Sequence, residues 1–272
     1  MRTWRFLVGV GVSSVSLWSA LPAHAEEPAK PVEAAKPAAK PTAPSKAAAK
    51  PKCKSGMKPI PAGTFTMGDA ENTEKAGTVT VVAFCMDRTE VTTAAYTKCV
   101  KSGKCTEAVS IQDGICHGGV TGDGNHPINC VNSGQATAYC EAQSQRLPTE
   151  EEWEYAARGT DGRIYPWGNA EPDGQLCSDR SGRDKPNNTC TVGNFPKGNS
   201  PFGLSDMEGN VSEWTSSAAN ASNTVFVIRG SNWTSGFWNS MGLHSACRSK
   251  SVGDLSYQDN TLGFRCAGSP LP

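Results

Sequence analysis

The chain has 272 residues with 26 basic and 26 acidic side chains, so its formal charge is zero. Residues 53–272 hold 18 basic and 23 acidic residues, a net charge of −5, together with all 11 cysteines. A nucleic-acid-binding protein needs a basic surface, and this acidic balance argues against that class of function. A segment of about 220 residues is expected to form one large domain.

Residues 1–25 have the features of a signal peptide. Arg2 and Arg5 precede an apolar run that serines interrupt, and Ala23-His24-Ala25 forms a small-residue cleavage motif. The run is short for a membrane-spanning helix, which favours cleavage over anchoring. We therefore expect an exported chain, periplasmic or extracellular, with no transmembrane segment in its mature form.

Residues 26–52 form a linker of alanine, lysine and proline, in which the sequence AAKP occurs three times. Such a composition cannot bury enough apolar surface to fold, and its prolines favour an extended, disordered spacer. Six lysines against three glutamates give the linker a charge of +3. That charge is low for an arm that follows an anionic envelope surface, so a soluble tether is the better interpretation.

Residues 53–272 contain short strand patterns separated by long loops. Alternating apolar and polar residues predict a strand or hairpin at 57–68. Further strands are expected at 79–86, at the aromatic end of 202–214, at 226–233 and at 262–267. The intervening segments are rich in glycine, asparagine and proline. With the few helices described next, this pattern indicates an α+β domain of low regular secondary structure that is stapled by disulfides.

Three helices are expected, at 93–102, 133–145 and 149–158. The third lies in the sequence RLPTEEEWEYAARG, where Thr149 is the N-cap and Glu152 completes a capping box. The glutamates of its first turn compensate the positive end of the helix dipole. Their side chains point in different directions, so they do not form a metal or acid–base cluster.

The cysteines of an exported domain predict disulfides rather than a zinc site or a catalytic thiol. Four pairs are suggested by position along the chain: Cys53–Cys85, Cys99–Cys105, Cys116–Cys130 and Cys177–Cys190. Because the total of 11 is odd, one cysteine remains free or pairs with another chain.

Seven segments occur together in a familiar order: MKPIPAGTFTMG, DRTEVTTAAY, RLPTEEEWEYAARG, YPWGN, SPFGLSDMEGNVSEW, IRGSNW and LGFRCA. Together they resemble the formylglycine-generating enzyme family, also called sulfatase-modifying factors, over residues 57–267. The resemblance implies that family's variant of the C-type-lectin fold. It also implies a disulfide between Cys140 and Cys266. The family's second internal disulfide is not kept, because Ala157 stands at one position and Cys247 lies near but off the other.

The resemblance fails at the copper site. In the family, two cysteines five residues apart hold copper(I), which activates oxygen to convert a substrate cysteine into formylglycine. Here Thr234 and Asn239 occupy the cysteine positions, and Ser212 replaces a tryptophan of the oxygen pocket, while Ser231 is retained. Copper(I) selects soft thiolate ligands, which hydroxyl and amide groups cannot replace. Copper is therefore not expected, and Cys247 alone would not supply a two-sulfur site.

The resemblance also implies one structural calcium site. Its ligands would be Asp206, the carbonyl oxygens of Gly209 and Val211, and Glu213, a set of hard oxygen donors of the kind that calcium requires. The competing interpretation is that Asp206 and Glu213 cap and salt-bridge the loop without metal. A second family calcium site is not expected, since Asp184 aligns with its carboxylate but Cys177 stands where asparagine is needed.

These observations favour an exported, non-catalytic domain that acts as a binding or scaffolding module for a peptide or glycan. Its ligand face would include Ser231, Trp233, Phe237 and Trp238, aromatic and polar groups suited to such contacts. Equally, the tryptophans could fill the space of the missing copper site. The alternatives are a divergent formylglycine-generating oxidoreductase, another periplasmic oxidase on this fold, or a purely structural envelope protein. The oligomeric state is left open.

Overall fold

Three small sheets and three α-helices form the part of the chain that the computed structural model describes, residues 51–68, 77–109, 116, 124–178, 189–235 and 250–272. The helices are α1 (Thr93–Lys101), α2 (Ser133–Ala142) and α3 (Glu150–Arg158). The strands are β1 (Met57–Ile60), β2 (Gly63–Met67), β3 (Gly77–Val81), β4 (Phe84–Asp87), β5 (Ser212–Ala218), β6 (Val225–Arg229), β7 (Lys250–Asp254), β8 (Leu262–Gly263) and β9 (Ala267–Gly268). This mixture confirms the predicted α+β class.

The strands predicted at 57–68 and 79–86 are each divided between two sheets. β1 pairs antiparallel with β4, placing Ile60 opposite Phe84, whereas β2 pairs with β3 in a separate two-stranded sheet. Pro61 lies between β1 and β2 and has no N–H with which to continue a ladder. The predicted strand at 262–267 divides in the same way, because β8 pairs with β5 and β9 pairs with β4.

The third helix is capped as its sequence predicts. The Thr149 side chain accepts a hydrogen bond from the Glu152 amide, and the Glu152 carboxylate accepts one from the Thr149 amide. Trp153, Ala156 and Ala157 are fully buried. They pack in a core with residues of β1 to β4, so α3 joins these two small sheets.

Glu154 is a buried carboxylate that the amphipathic pattern does not indicate. It has no exposed surface and forms ion pairs with Arg158, one turn later, and with Arg229 at the end of β6. The Arg229 guanidinium also lies 6.0 Å from the centre of the Trp153 ring. The interior of α3 therefore combines apolar packing with an ionic connection to β6.

A second core lies between α1, α2 and the four-stranded sheet. Tyr96 of α1 stacks on Tyr139 of α2 with ring centroids 5.6 Å apart, and Phe264 packs edge-on against both rings. Trp214 of β5 is fully buried, and its indole N–H donates to the Val131 carbonyl. These contacts connect the two helices to the strands that lead into the candidate site.

Ten cysteines form five disulfides, Cys53–Cys85, Cys99–Cys105, Cys116–Cys130, Cys140–Cys266 and Cys177–Cys190, which match the five predicted pairs. The Cys140–Cys266 bond joins α2 to the segment before β9 across 126 residues. In the part of the chain that the structure describes, no helix has the length and apolar character needed to cross a membrane.

Candidate functional site

The candidate ligand face begins at the turn after β6. Gly230 has φ +79°, and a Cβ there would lie 3.1 Å from the Trp153 ring, so glycine permits both the turn and its close approach to α3. Ser231 follows with 7% of its surface exposed, whereas Thr234 is exposed. Phe237, Trp238 and Asn239 of the predicted site lie outside the described residues, as do Cys247 and Asp184.

Asn232 connects Ser212 and Thr234, the two positions at which the family resemblance predicts a departure from the copper-binding pattern. Its side-chain oxygen accepts a hydrogen bond from the Thr234 hydroxyl at 2.8 Å. Its side-chain nitrogen donates to the Ser212 hydroxyl at 3.2 Å. A hydroxyl–amide–hydroxyl network therefore occupies the region where the resemblance would require a thiolate and an indole ring. Sequence reasoning identified Ser212 and Thr234 separately but not their connection through Asn232.

Ser231 is fixed by a buried carboxylate. Its hydroxyl donates to Glu208 at 2.7 Å and accepts a hydrogen bond from the Gly209 amide at 3.0 Å. Glu208 is 6% exposed and lies at the base of the loop that contains the predicted calcium ligands. The sequence signal that could have found it is an acidic residue inside the otherwise matching segment SPFGLSDMEGNVSEW.

Trp233 is half-buried beside this network. Its backbone amide donates to the Asn210 carbonyl at 2.9 Å, and its indole N–H points to the Asn260 carbonyl at 3.4 Å. These bonds fix the position of the indole against two separate loops. The described part of the predicted face is therefore a half-buried aromatic ring surrounded by hydroxyl and amide groups.

Glu213 is enclosed by donors in the interior. It has no exposed surface, and its carboxylate receives three contacts of 2.7 to 3.0 Å from Arg265 and one of 2.8 Å from the Trp153 indole N–H. Three N–H groups make these contacts, because the Arg265 Nε–H is shared between the two carboxylate oxygens. In this arrangement Glu213 compensates the Arg265 charge, and its contacts with Arg265 and Trp153 compete with a role as a calcium ligand.

Asp206 lies near a second buried carboxylate, Glu90, which sequence reasoning did not assign to the site. Burial raises the pKa of Glu90 well above its usual value, and the negative charge of Asp206 raises it further. Burial likewise raises the pKa of Asp206, although hydrogen bonds from the Gly193 amide and Glu90 and the charge of Arg265 oppose the shift. The Asn210 side chain donates to Glu90 at 3.1 Å.

The negative charge around Asp206 favours binding of a cation there. The predicted set of ligands, which includes Glu213, fits that cation less well. Asp206, Glu90 and Glu213 place three carboxylates near the single guanidinium of Arg265, which binds Glu213 directly. Within the described residues, no three acidic, histidine or cysteine side chains converge as a ready metal site. A calcium ion would therefore depend on the carbonyl oxygens of Gly209 and Val211 together with Asp206, and Glu90 is the nearby carboxylate that could replace Glu213.

Because of Asp87, at the end of β4, we expect the free energy of unfolding to depend on pH. Burial raises the pKa of Asp87 to about 6, although the Cys266 amide and Arg265 act in the opposite direction. An unfolded aspartate ionises near pH 3.9, so the folded state loses stability as pH rises from about 4 to 6 and then levels off. Asp87→Asn should be more stable than the natural chain at pH 7 by about 2 kcal/mol, a value reduced from the full effect of the pKa shift because the side chain is partly exposed. Below about pH 4 the two proteins should be equally stable.

Urea unfolding from pH 3.5 to 8 measures this difference. Asp161→Asn is the matched control, because the Asp161 pKa is lowered to about 2 by its hydrogen bonds with Arg163 and the side chain is exposed. An Asp87→Asn difference that stays constant across this pH range would contradict the prediction.

Comparison with known proteins identifies the family. Residues 43–270 match the family described as the sulfatase-modifying factor enzyme 1-like domain. The chain is 30% identical to mouse formylglycine-generating enzyme over 79% of this chain and 76% of that protein. It is 40% identical to mouse inactive C-alpha-formylglycine-generating enzyme 2, over 53% of this chain and 49% of that protein.

The structure of PvdO from Pseudomonas aeruginosa is similar in fold, with a TM-score of 0.64 and 22% sequence identity over 78% of this chain and 94% of PvdO. The expected fold and the resemblance seen in the sequence are both confirmed. The family match covers nearly the whole segment that contains the disulfides, α3 and the candidate site. This chain belongs to the sulfatase-modifying factor enzyme 1-like domain family.

Proposed function

We propose that this chain is an exported, non-catalytic member of the family that binds a peptide or glycan on the surface around Trp233. The observation that carries the proposal is the hydrogen-bonded network at Thr234, Asn232 and Ser212. Copper(I) binding requires soft sulfur ligands, and the network offers only oxygen and nitrogen. The five disulfides account for ten of the 11 cysteines, which leaves Cys247 without a second thiol to act as its partner.

Family membership alone does not decide between an enzyme and a binding protein. One similar mouse protein is named a formylglycine-generating enzyme and another is named inactive. The decision therefore depends on the residues of this chain. A half-buried tryptophan beside hydroxyl and amide groups can stack on a ligand and orient it by hydrogen bonds, which supports a binding role. The N-terminal segment and the disulfides support export.

The oxidase alternative is tested with the purified chain, copper(I) and a peptide containing Cys-x-Pro-x-Arg. We expect no stoichiometric copper(I) binding and no conversion of the peptide cysteine, as measured by mass spectrometry. Mouse formylglycine-generating enzyme under the same conditions is the positive control. Turnover by this chain would overturn the non-catalytic assignment and establish the divergent oxidase instead.

The binding role is tested on the same preparation with peptide and glycan arrays. Trp233→Ala should weaken the strongest array signal about tenfold, which is the usual effect of removing a central aromatic contact. Trp167→Ala is the matched control, because Trp167 is also half-buried but stacks on Tyr165 in a separate turn. Equal loss in both variants, or no array signal with the natural chain, would contradict the binding proposal.

We further propose that a structural calcium ion binds at the Asp206 loop, with Glu90 supplying the second carboxylate. If calcium is present at about 100 times its dissociation constant, linkage predicts about 2.7 kcal/mol of added stability. For a domain of this size that corresponds to a rise in Tm of about 5 to 10 °C. Chelator-treated protein should therefore melt earlier and recover when calcium is added.

Asp206→Asn and Glu90→Gln should each remove most of the calcium response, whereas Asp161→Asn should keep it. Magnesium should substitute poorly, because it demands a tighter octahedral arrangement of ligands. If Tm is the same with chelator and with calcium, the loop is held without metal by the hydrogen bonds around Asp206.

A further inference from the structure

β7 is an edge strand within the part of the chain that the structure describes. It pairs with β6 along its whole length, with Arg229 opposite Lys250 and Val225 opposite Asp254, and it is the last strand on that side of the sheet. Four of its five residues are exposed, and only Gly253 is buried. An exposed edge of this kind is a template for pairing with another strand.

Exposed apolar side chains lie on and just beyond this strand. The exposed fractions are 56% for Val252, 49% for Leu255 and 43% for Tyr257. The Tyr257 ring packs edge-on against Trp214, with ring centroids 6.4 Å apart, so this side chain is held in place rather than extended freely into solvent. Among the described residues, β6 is the strand that pairs with β7, and the Asp254 carbonyl accepts a hydrogen bond from the Tyr257 amide at 3.1 Å. The opposite edge of β7 therefore combines backbone groups that no described strand pairs with and an ordered apolar surface, which a partner strand could cover.

The order of charges on β7 indicates what that partner is. Alternate side chains of a strand point to the same face, so one face of β7 carries Lys250, Val252 and Asp254. This face carries a positive, an apolar and a negative side chain in that order. A second β7 running in the opposite direction presents them in the reverse order, so opposite charges meet at both ends. In an antiparallel pair centred on Val252, Lys250 would lie opposite the partner's Asp254, and the same contact would occur twice.

We propose that two copies of this chain associate through antiparallel pairing of their β7 strands. The two four-stranded sheets then form one continuous sheet of eight strands, related by a two-fold axis at Val252. A parallel arrangement in register would place Lys250 beside the partner's Lys250, so charge selects the antiparallel arrangement. The paired strands are short, and the dimer is therefore concentration-dependent rather than permanent.

Sedimentation velocity of the whole, disulfide-bonded chain from about 1 to 100 µM tests this proposal. The natural chain should shift from monomer to dimer across that range. Lys250→Glu and Asp254→Lys should each weaken self-association about tenfold, because each change turns two attractive pairs into repulsive ones. An equimolar mixture of these two variants should regain the dimer, since the glutamate introduced in one variant would face the lysine introduced in the other.

The double variant Lys250→Glu, Asp254→Lys should also regain self-association. Lys104→Glu and Glu107→Lys are controls with the same charge changes at exposed positions away from β7. Thermal unfolding shows whether each variant is folded, which matters because Lys250 also contacts Glu150 at 3.3 Å.

Three results would overturn the proposal: a natural chain that remains monomeric up to about 100 µM, a dimer that all the charge variants preserve, or a dimer that Cys247→Ser abolishes. The third result would show that a disulfide between two Cys247 residues, and not strand pairing, holds the two copies together.

Discussion

Arg265→Ala should lower the free energy of unfolding by about 3 to 5 kcal/mol, the effect of leaving a buried charge without its partner. Glu213 and Arg265 are both fully buried, and Arg265 also donates to the backbone carbonyls of Asp87, Arg88, Ser205 and Asp206. Its removal would take these donors from the four carbonyls and would leave the buried Glu213 carboxylate with the Trp153 indole N–H but without its counter-charge. Because the Arg265 guanidinium connects β4, the Asp206 loop and β5, its removal should loosen the contacts among all three.

Thermal and urea unfolding measure this effect, and for a domain of this size the fall in Tm should be about 6 to 20 °C. Arg163→Ala is the matched control, since Arg163 pairs with Asp161 at the surface, where an ion pair contributes about 1 kcal/mol or less. A similar small loss in both variants would show that the Glu213–Arg265 pair is not a principal support of the fold.

Replacing Cys140 and Cys266 together by alanine should destabilise the domain by about 5 kcal/mol. The bond closes a loop with a sequence separation of 126 residues, and the conformational freedom that it removes from the unfolded chain grows with loop length. Removing Cys99 and Cys105, whose separation is 6 residues, should cost about 2 kcal/mol by the same relation. The expected order of stability is therefore natural chain, Cys99–Cys105 variant, then Cys140–Cys266 variant.

Urea unfolding of the three proteins at equal concentration tests this order. Mass spectrometry under non-reducing conditions confirms that the four remaining disulfides are intact in each variant. If the short-loop variant is the less stable of the two, the effect comes from packing around α1 rather than from loop closure.

Local chemistry made α3 and the disulfides predictable. Thr149 and Glu152 are three residues apart, so their reciprocal hydrogen bonds need only one helical turn. Four disulfides join cysteines that are close in sequence or flank a strand pair, and the Cys140–Cys266 pair came from the family resemblance. Each predicted strand segment contains a strand, but the one predicted at 226–233 ends at Arg229 and β7 was not predicted. The division of strands between sheets was not predicted either, because alternation of side chains does not reveal which partner strand each half will meet.

The buried charges could not be predicted in the same way. Glu154 lies between Trp153 and Tyr155 in sequence, and its burial is offset by Arg158 one turn later and by Arg229, which is 75 residues away in the chain. Glu213 reads as a calcium ligand from its segment alone. That segment does not reveal that Arg265 and Trp153 lie against its carboxylate or that Glu90 lies near Asp206.

The sequence by itself determined the family, the fold class and the disulfide framework, because these depend on residue identity, short spacing and family resemblance. The tertiary structure decided which carboxylate faces which cation, how Asn232 joins Thr234 to Ser212, and which strand edge is exposed. These features depend on groups that are distant in the chain and on their shared removal from water. Electrostatic interactions strengthen sharply on burial, so positions that look interchangeable in sequence differ by several kcal/mol once the chain has folded.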